Sequence, residues 1–272
     1  MTHRLVGLAI VVFWVVATSW LVWHDIVPAW TAQEPPRMVA ADWVQQFGRQ
    51  VQYGILNHDG RRVGGIWTRY TSGSSTDRED EIYVRDVPLL GSAYLLIRSS
   101  YDAAGLLDEV DINVLGHWDP IRIHGERFPK EFAFRLEAGA VKQAFKIDLA
   151  LAGTFSDVFR PFDVMPQLEV GQSWRMQVFN PVATVTGVGD RFIPMLVKVV
   201  GRDVLHVDGQ PRDCMIVEAG QAQAWVERRS GLALKQKINL PILGGYTVLM
   251  EGYDDAARLE AKRRFDRAVL DW

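Results

Sequence analysis

The sequence has little cysteine and no excess of positive charge. Cys214 is the only cysteine among the 272 residues, so no disulfide can form within the chain, and a metal site built from several thiolates is excluded. Lysine and arginine number 30 against 33 aspartate and glutamate, which gives a formal net charge of -3. Because binding to phosphates requires a concentrated basic surface, we expect no nucleic acid partner.

Signatures of common catalytic sites are also missing. The sequence contains no G-x-S-x-G nucleophile elbow and no phosphate-binding loop. The stretch TGVGDR, residues 186–191, has two glycines but lacks the third glycine and the flanking helix of a dinucleotide-binding motif. We therefore predict a protein that is not an enzyme, has no catalytic residues or metal ligands, and requires no cofactor.

The densest group of polar side chains lies in HWDPIRIHGE, residues 117–126. On a strand, His124 and Glu126 would share one face, and a hairpin could bring His117 close to them, so a metal site is conceivable. Solvated sheet surface is the favoured interpretation, because no third ligand is specified.

Two further polar features are interpreted without chemistry. The acidic run STDREDE, residues 75–81, is more typical of a solvated loop than of a cation site. Cys214 lies in the strand-like stretch RDCMIVEA and is more typical of a buried small apolar residue than of a nucleophile.

The N-terminal stretch is a long apolar run. Residues 5–23 carry no formal charge, and at about 1.5 Å per residue they would form a helix of about 28 Å, close to the roughly 30 Å hydrocarbon core of a bilayer. The small residues at positions 17–19 could serve as a signal-peptide cleavage site, but the apolar run continues through them to Trp23. We therefore expect a retained single-pass anchor rather than a cleaved signal.

The flanking charges indicate an orientation for this anchor. Arg4 and the amino terminus precede the apolar run, whereas His24 and Asp25 follow it, so the positive-inside rule leaves the N-terminus in the cytoplasm. We expect the protein in the inner (cytoplasmic) membrane, with the bulk of the chain periplasmic or extracellular. The residues assigned to the membrane anchor are Phe13, Trp14, Trp20 and Trp23, whose aromatic rings offer more specific contact surface than a plain Leu/Val helix.

Composition divides the chain into four segments. Residues 1–24 hold the N-terminus and the predicted anchor, and residues 25–37 contain a Pro-Pro pair typical of an extended spacer. Residues 38–253 form the predicted β-domain. Residues 254–272 have apolar side chains at helical spacing opposite basic ones, which predicts a C-terminal amphipathic helix.

The β-domain is predicted from side-chain alternation. In AFKIDLAL, residues 144–151, apolar side chains recur at every second position, which is the pattern of a strand with one wet face. About ten to twelve such runs follow one another without helical crossovers. This pattern predicts a mainly β fold, namely a large curved antiparallel sheet or open barrel with short helices, preceded by one transmembrane helix. The predicted turns fall at glycines: Gly60, Gly105, Gly139, Gly209 and Gly231.

Two segments outside this alternation carry large apolar side chains. Residues 153–171 form a long connection that either plugs the core or serves as a lid or contact surface. The final helix either packs on the sheet or docks to a partner or to anionic headgroups. The candidate partner or ligand contacts in these segments are Phe155, Phe159, Phe162, Met165, Phe265 and Trp272.

Three stretches carry a resemblance to known proteins: VQYGILNHDGRRVGG, PQLEVGQSWRMQV and AWVERRSGLALKQKINLP. They are similar to elements of uncharacterised bacterial periplasmic β-protein families whose architecture resembles that of the LolA/LolB-type lipoprotein carriers. The resemblance covers roughly residues 50–253 and implies a curved antiparallel sheet around a hydrophobic cavity closed by helices. The chain departs from those carriers because it has no lipobox cysteine.

These features leave three functions open. The first is a membrane-anchored, non-enzymatic accessory or scaffold subunit that stabilises a larger membrane protein complex. The second is a binding module of the bacterial envelope for a lipid or another hydrophobic ligand. An envelope hydrolase is the third, and it depends only on the histidine-containing cluster. The expected partners are accordingly an integral membrane protein complex or membrane lipid.

Overall fold

The structure, a computed structural model, describes most of the predicted β-domain, an N-terminal helix and a C-terminal helix. The described residues are 2–22, 36, 50–72, 76–87, 91–102, 104–116, 118–148, 156–157, 160–179, 190, 192–207, 209–240 and 244–270. Apart from residue 36, the predicted spacer lies outside them. In the N-terminal helix, side chains are described from residue 10 onward.

The described residues include two helices and fifteen strands. The helices are α1 (Thr2–Leu21) and α2 (Asp255–Leu270). The strands are β1 (Gln50–Asn57), β2 (Arg62–Ser72), β3 (Thr76–Val87), β4 (Gly91–Tyr101), β5 (Leu107–Leu115), β6 (Ile121–Arg127), β7 (Glu131–Ala138), β8 (Val141–Asp148), β9 (Ser156–Asp157), β10 (Ser173–Phe179), β11 (Phe192–Val207), β12 (Gln210–Ala219), β13 (Ala222–Glu227), β14 (Ala233–Leu240) and β15 (Gly244–Glu251).

All fifteen strands belong to one open sheet. Their order is β8-β7-β6-β5-β4-β3-β2-β1-β15-β14-β13-β12-β11-β10-β9, and the pairs are antiparallel except for the short parallel pair of β9 with β10. Neighbours in sequence are thus neighbours in the sheet, except for β8 and β9, which lie at its two ends. The first strand meets the last at the β1–β15 pair. The prediction of a mainly β fold with a large antiparallel sheet is confirmed, with more strands than expected.

The two faces of the sheet bury different clusters. Strand alternation places Ile66, Ile82 and Leu95 on the inner face, where they join the main core cluster. Trp67 and Tyr94 point to the outer face and pack with α2. The sheet therefore has a large apolar core on one side and a smaller helix-covered cluster on the other.

The predicted turn glycines have the backbone conformation that tight turns require. All five have positive φ: Gly60, Gly105, Gly139, Gly209 and Gly231. At Gly231 a Cβ would also lie 3.0 Å from the carbonyl oxygen of Met165, so a side chain there would collide with the neighbouring backbone. The turn signals in the sequence are confirmed.

The prediction of a membrane anchor is wrong. Among the described residues, no helix combines the length and the apolarity needed to cross a membrane. The predicted single-pass location in the inner membrane, with the N-terminus in the cytoplasm, is therefore also wrong.

Candidate functional site

Helix α1 presents an apolar surface to solvent. Residues 10–21 contain no charged side chain. Phe13 is 71% exposed, Trp14 69% and Trp20 63%. Other large apolar side chains on the helix are also exposed by half or more: Ile10, Val11, Val12, Val15, Val16 and Leu21. Three of the four aromatic residues assigned to the anchor therefore lie on one exposed helix, and we call the exposed side chains of residues 10–21 the α1 surface. Trp23 lies outside the described residues.

The long connection contributes to the core instead. Phe162 is 1% exposed and Met165 is 7% exposed, and both belong to the main core cluster. Phe155 and Phe159 lie outside the described residues. Of the two roles predicted for this connection, the buried positions of Phe162 and Met165 correspond to plugging the core.

Backbone hydrogen bonds hold this part of the connection, residues 160–166, which we call the inner segment. The N–H of Phe162 donates to Oε1 of Gln236 on β14 (3.1 Å), and Nε2 of Gln236 donates back to the carbonyl of Phe162 (2.5 Å). The N–H of Met165 donates to the carbonyl of Gly231 (2.7 Å). The inner segment is thus tied to the strands on the β14 side of the sheet.

On the other side, the inner segment is held by buried charges. Arg160, with its side chain 1% exposed, donates from Nη2 to Asp80 Oδ1 (2.9 Å) and from Nη1 to Thr68 Oγ1 (2.9 Å). The Nε of Arg78 lies 2.7 Å from Asp80 Oδ2, and Arg78 also pairs with Asp163. Two arginines and two aspartates therefore form a buried network that balances its own charge, as burial requires.

Tyrosines surround this network. The guanidinium of Arg160 lies 5.1 Å from the ring centre of Tyr53, within cation–π range. Burial raises the pKa of Tyr53 and of Tyr70 well above the ordinary value, and the carboxylate of Asp163 adds to the rise. Burial by itself lowers the pKa of Arg78, but the carboxylates of Asp163 and Asp80 raise it by more. The pKa of Arg78 therefore lies well above its ordinary value. The arginine and both tyrosines therefore stay protonated at neutral pH.

Sequence reasoning missed the network because it interpreted residues 75–81 as a solvated loop. Residues 76–81 instead begin β3, where Asp80 pairs with Thr68 of β2 and Arg78 pairs with Tyr70 of β2. The available signal was register, because the inward alternation of Ile82 extends back through Asp80 and Arg78. The charges of Asp80 and Arg78 argued against an inward-facing position, since charged residues are rarely buried unless they are paired.

Helix α2 packs on the outer face of the sheet. Phe265 is 5% exposed, and its ring centre lies 5.4 Å from that of Tyr94 on β4. Arg258 donates from Nη1 to Glu81 Oε1 of β3 (2.6 Å), with both side chains largely buried. Of the two alternatives for this helix, Phe265 shows packing on the sheet; Trp272 lies outside the described residues.

The predicted polar cluster is rearranged by the pairing of β5 with β6. His124 lies beside Asp111, with Nδ1 2.9 Å from Oδ1, because these two residues are directly paired. Glu126 is paired with Glu109 two positions further along. His117 lies outside the described residues, so its predicted approach to His124 is not described.

Cys214 is fully buried on β12. Its exposed fraction is 0%, and burial raises the pKa of the thiol to about 11. A thiol with that pKa is almost entirely protonated at neutral pH, which does not suit a nucleophile. The interpretation of Cys214 as a buried apolar residue is confirmed by its burial.

A mostly apolar cleft of about 480 Å³ opens at the β6–β8 end of the sheet. Phe134 and Phe145 line it, with ring centres 5.1 Å apart in a stacked arrangement. Phe128, at 44% exposure, also lines the cleft. Arg135 and Lys146 add positive charge to the same lining. The cleft offers an apolar wall beside basic groups.

Comparisons with known proteins give one likeness. No family model matches the chain. No curated protein matches it either. A solved structure described as a DUF1089 family protein from Pseudomonas aeruginosa is similar over 65% of this chain and 90% of that chain, with 14% sequence identity and a TM-score of 0.39. The resemblance to LolA/LolB-type carriers is not confirmed.

Proposed function

We propose that the protein is a non-enzymatic accessory or scaffold subunit that binds a larger protein assembly through the α1 surface. The observation that carries this proposal is the exposure of Phe13 and Trp14, at 71% and 69%. Soluble monomers rarely expose contiguous apolar patches of this kind, and such patches mark interaction sites. Aromatic residues of this size are also the commonest anchors of protein interfaces.

The rest of the fold supports the same assignment. The other predicted contact residues that are described, Phe162, Met165 and Phe265, are occupied by the protein's own core. The α1 surface is therefore the largest group of exposed apolar side chains among the described residues. A helix that buries one apolar face in a partner's groove is a common mode of recognition.

The size of the surface sets an upper limit on the free energy of binding. Each large aromatic side chain buries about 150–250 Å² when enclosed. Since Phe13 and Trp14 are about 70% exposed, a partner could cover about 280 Å² on them, worth up to about 7 kcal/mol at about 25 cal/mol per Å². Ordering costs reduce this value, and truncation of anchor residues typically costs about 2–4 kcal/mol.

The test is reconstitution from purified components. A protein that copurifies in stoichiometric amounts is identified, purified separately and titrated against this chain. Changing Phe13 and Trp14 together to Ser should weaken binding by about 2–4 kcal/mol, which is roughly 30-fold to 1000-fold in Kd. The matched control is Val204→Ser, which removes an exposed apolar side chain (55% exposed) from the sheet.

The two variants separate the outcomes. Unchanged affinity in the Phe13/Trp14 variant would exclude α1 as the contact. Equal losses of affinity in the Phe13/Trp14 variant and in Val204→Ser would mean that general surface hydrophobicity, and not the α1 surface, accounts for binding. A chain that forms no stoichiometric complex would contradict the subunit role itself.

A second candidate is a binding module for a hydrophobic ligand, in keeping with the resemblance to LolA/LolB-type carriers. The cleft beside Phe134 and Phe145 is the observation that favours it. Its lining includes two cations, Arg135 and Lys146, against one carboxylate, Glu126, which suits a ligand with an acidic head group. Titration with a fluorescent fatty acid should then show binding that Phe128→Ser weakens, because Phe128 lines the cleft and is 44% exposed.

A further inference from the structure

We propose that the outer face of the β5–β6 pair binds a divalent transition-metal ion through Glu109, Asp111 and His124. One candidate ligand atom from each residue lies within 4.8 Å of the other two. The site is distinct from the α1 surface that carries the proposed function, so either proposal can fail alone.

The spacing of the ligand atoms fits a metal ion. His124 Nδ1 lies 2.9 Å from Asp111 Oδ1 and 3.7 Å from Glu109 Oε1. In a tetrahedral site with metal–ligand bonds of about 2.1 Å, the ligand atoms stand about 3.4 Å apart. These two distances lie on either side of that value, and the two carboxylate oxygens lie within 4.8 Å of each other. Rotation of the partly exposed side chains would bring all three atoms to one ion.

The pairing of the strands explains how these residues meet. Asp111 faces His124 directly, and Glu109 lies two residues before Asp111 on the same face of β5. Glu126, paired with Glu109, lies on this face too and adds a third carboxylate close to the group. Sequence reasoning considered His124 with Glu126 and found no third ligand, because the remaining ligands come from the neighbouring strand.

The donor set favours a particular class of ion. An imidazole nitrogen with two carboxylate oxygens suits Zn²⁺ and similar first-row ions, whereas Mg²⁺ and Ca²⁺ prefer oxygen ligands alone. Three protein ligands leave a further coordination position open to water or to a group from another molecule. The arrangement therefore accepts one Zn²⁺-like ion with an open position.

An ion can reach the group from solvent. The side chains of His124, Asp111 and Glu109 are 35%, 46% and 51% exposed. A polar cleft of about 530 Å³ opens beside them and is lined by Glu109 and Asp111. Positive charge also lies nearby, since Arg135 is paired with His124 on the β7 side. We therefore expect a modest affinity that Arg135→Gln would increase.

The chain supplies its own control for nonspecific binding. His58 Nε2 lies 3.0 Å from Asp59 Oδ1, with side chains 76% and 67% exposed. This pair has the same two residue types as His124 and Asp111. It does not belong to a group of three candidate ligands among the residues that the structure describes.

The test is calorimetric titration of the full chain, held in mild detergent, with ZnCl₂. We expect one Zn²⁺ per chain, and a Kd that rises more than about tenfold in His124→Gln and in Asp111→Asn, since each variant removes one of three ligands. His58→Gln should leave the Kd unchanged. Circular dichroism of every variant checks that the sheet is intact, which we expect because the changed side chains are partly exposed.

Three results would overturn the proposal. The first is no stoichiometric Zn²⁺ binding. The second is an equal loss of Zn²⁺ affinity in His124→Gln and His58→Gln, which would indicate adventitious binding to exposed imidazoles. The third is Ca²⁺ or Mg²⁺ binding as tight as that of Zn²⁺, which would show a general attraction of cations to the carboxylates.

Discussion

Removing Arg160 should destabilise the protein far more than removing a surface arginine. The side chain is 1% exposed and donates hydrogen bonds of 2.9 Å to Asp80 and to Thr68. In Arg160→Ala, Asp80 loses one of its two cationic partners but keeps Arg78, whose Nε lies 2.7 Å away. The variant also loses the cation–π contact with Tyr53.

The magnitude follows from these contacts. Breaking a buried ion pair costs about 3–5 kcal/mol, and the remaining partner of Asp80 places this case at the lower end. Loss of the cation–π contact adds about 1 kcal/mol. We therefore expect the free energy of unfolding to fall by about 4 kcal/mol, a large part of the 5–15 kcal/mol typical of a folded domain.

Urea denaturation followed by tryptophan fluorescence measures this loss. At an m-value of about 3 kcal/mol per M, the midpoint should fall by about 1.3 M urea with the slope unchanged. The matched control is Arg98→Ala, which breaks a 3.0 Å pair between Arg98 (64% exposed) and Glu79. A surface pair of this kind contributes about 0–1 kcal/mol.

Equal midpoints for Arg160→Ala and Arg98→Ala would refute the reasoning. A second variant separates charge from packing. Arg160→Met combined with Asp80→Asn removes both charges while keeping side-chain volume, so it should recover part of the loss, since an uncompensated charge no longer lies in the core. If the double variant is less stable than Arg160→Ala, burial of charge is not the cause of the loss.

Two further predictions concern α2 and Cys214. Phe265→Ala should lower the free energy of unfolding by about 3–4 kcal/mol, because the ring packs on Tyr94 with ring centres 5.4 Å apart. Amide hydrogen exchange should increase in α2 before it increases in the sheet. Loss of protection in β2–β4 at the same rate as in α2 would contradict this. Cys214 should react with a thiol reagent at pH 8 at least about a hundredfold more slowly in the native protein than in urea, because burial raises its pKa to about 11. For the same reason, the contribution of this thiol to stability is complete below the unfolded pKa of about 8.5 and is lost as the pH rises towards the folded value. Equal native and unfolded reaction rates would show that the thiol is accessible.

The sequence by itself determined the strands and the turns. Alternating apolar side chains predicted strands such as β8, and each of the five turn glycines has the positive φ that a turn requires. These features are local, because side-chain period and glycine conformation depend on a few neighbouring residues. Helix α2 was also predictable, since its apolar residues recur at helical spacing.

Apolar composition alone misled the interpretation of the N-terminus and of the connection at residues 153–171. An uncharged run predicted a membrane span, but no described helix meets the requirements for crossing a membrane. In the connection, Phe162 and Met165 had two open roles, and the exposed fractions of 1% and 7% place them in the core. Hydrophobicity shows that a side chain avoids water, but it does not identify what covers it.

Only the tertiary structure decided which charged residues meet. Asp80 and Arg160 are 80 residues apart in sequence, and their hydrogen bond forms because the inner segment crosses the inner face of the sheet. His124 meets Asp111 and Glu109 because β5 and β6 pair in one register out of several possible ones. Register and long-range contacts are selected by the burial of the whole core, so no short stretch of sequence specifies them.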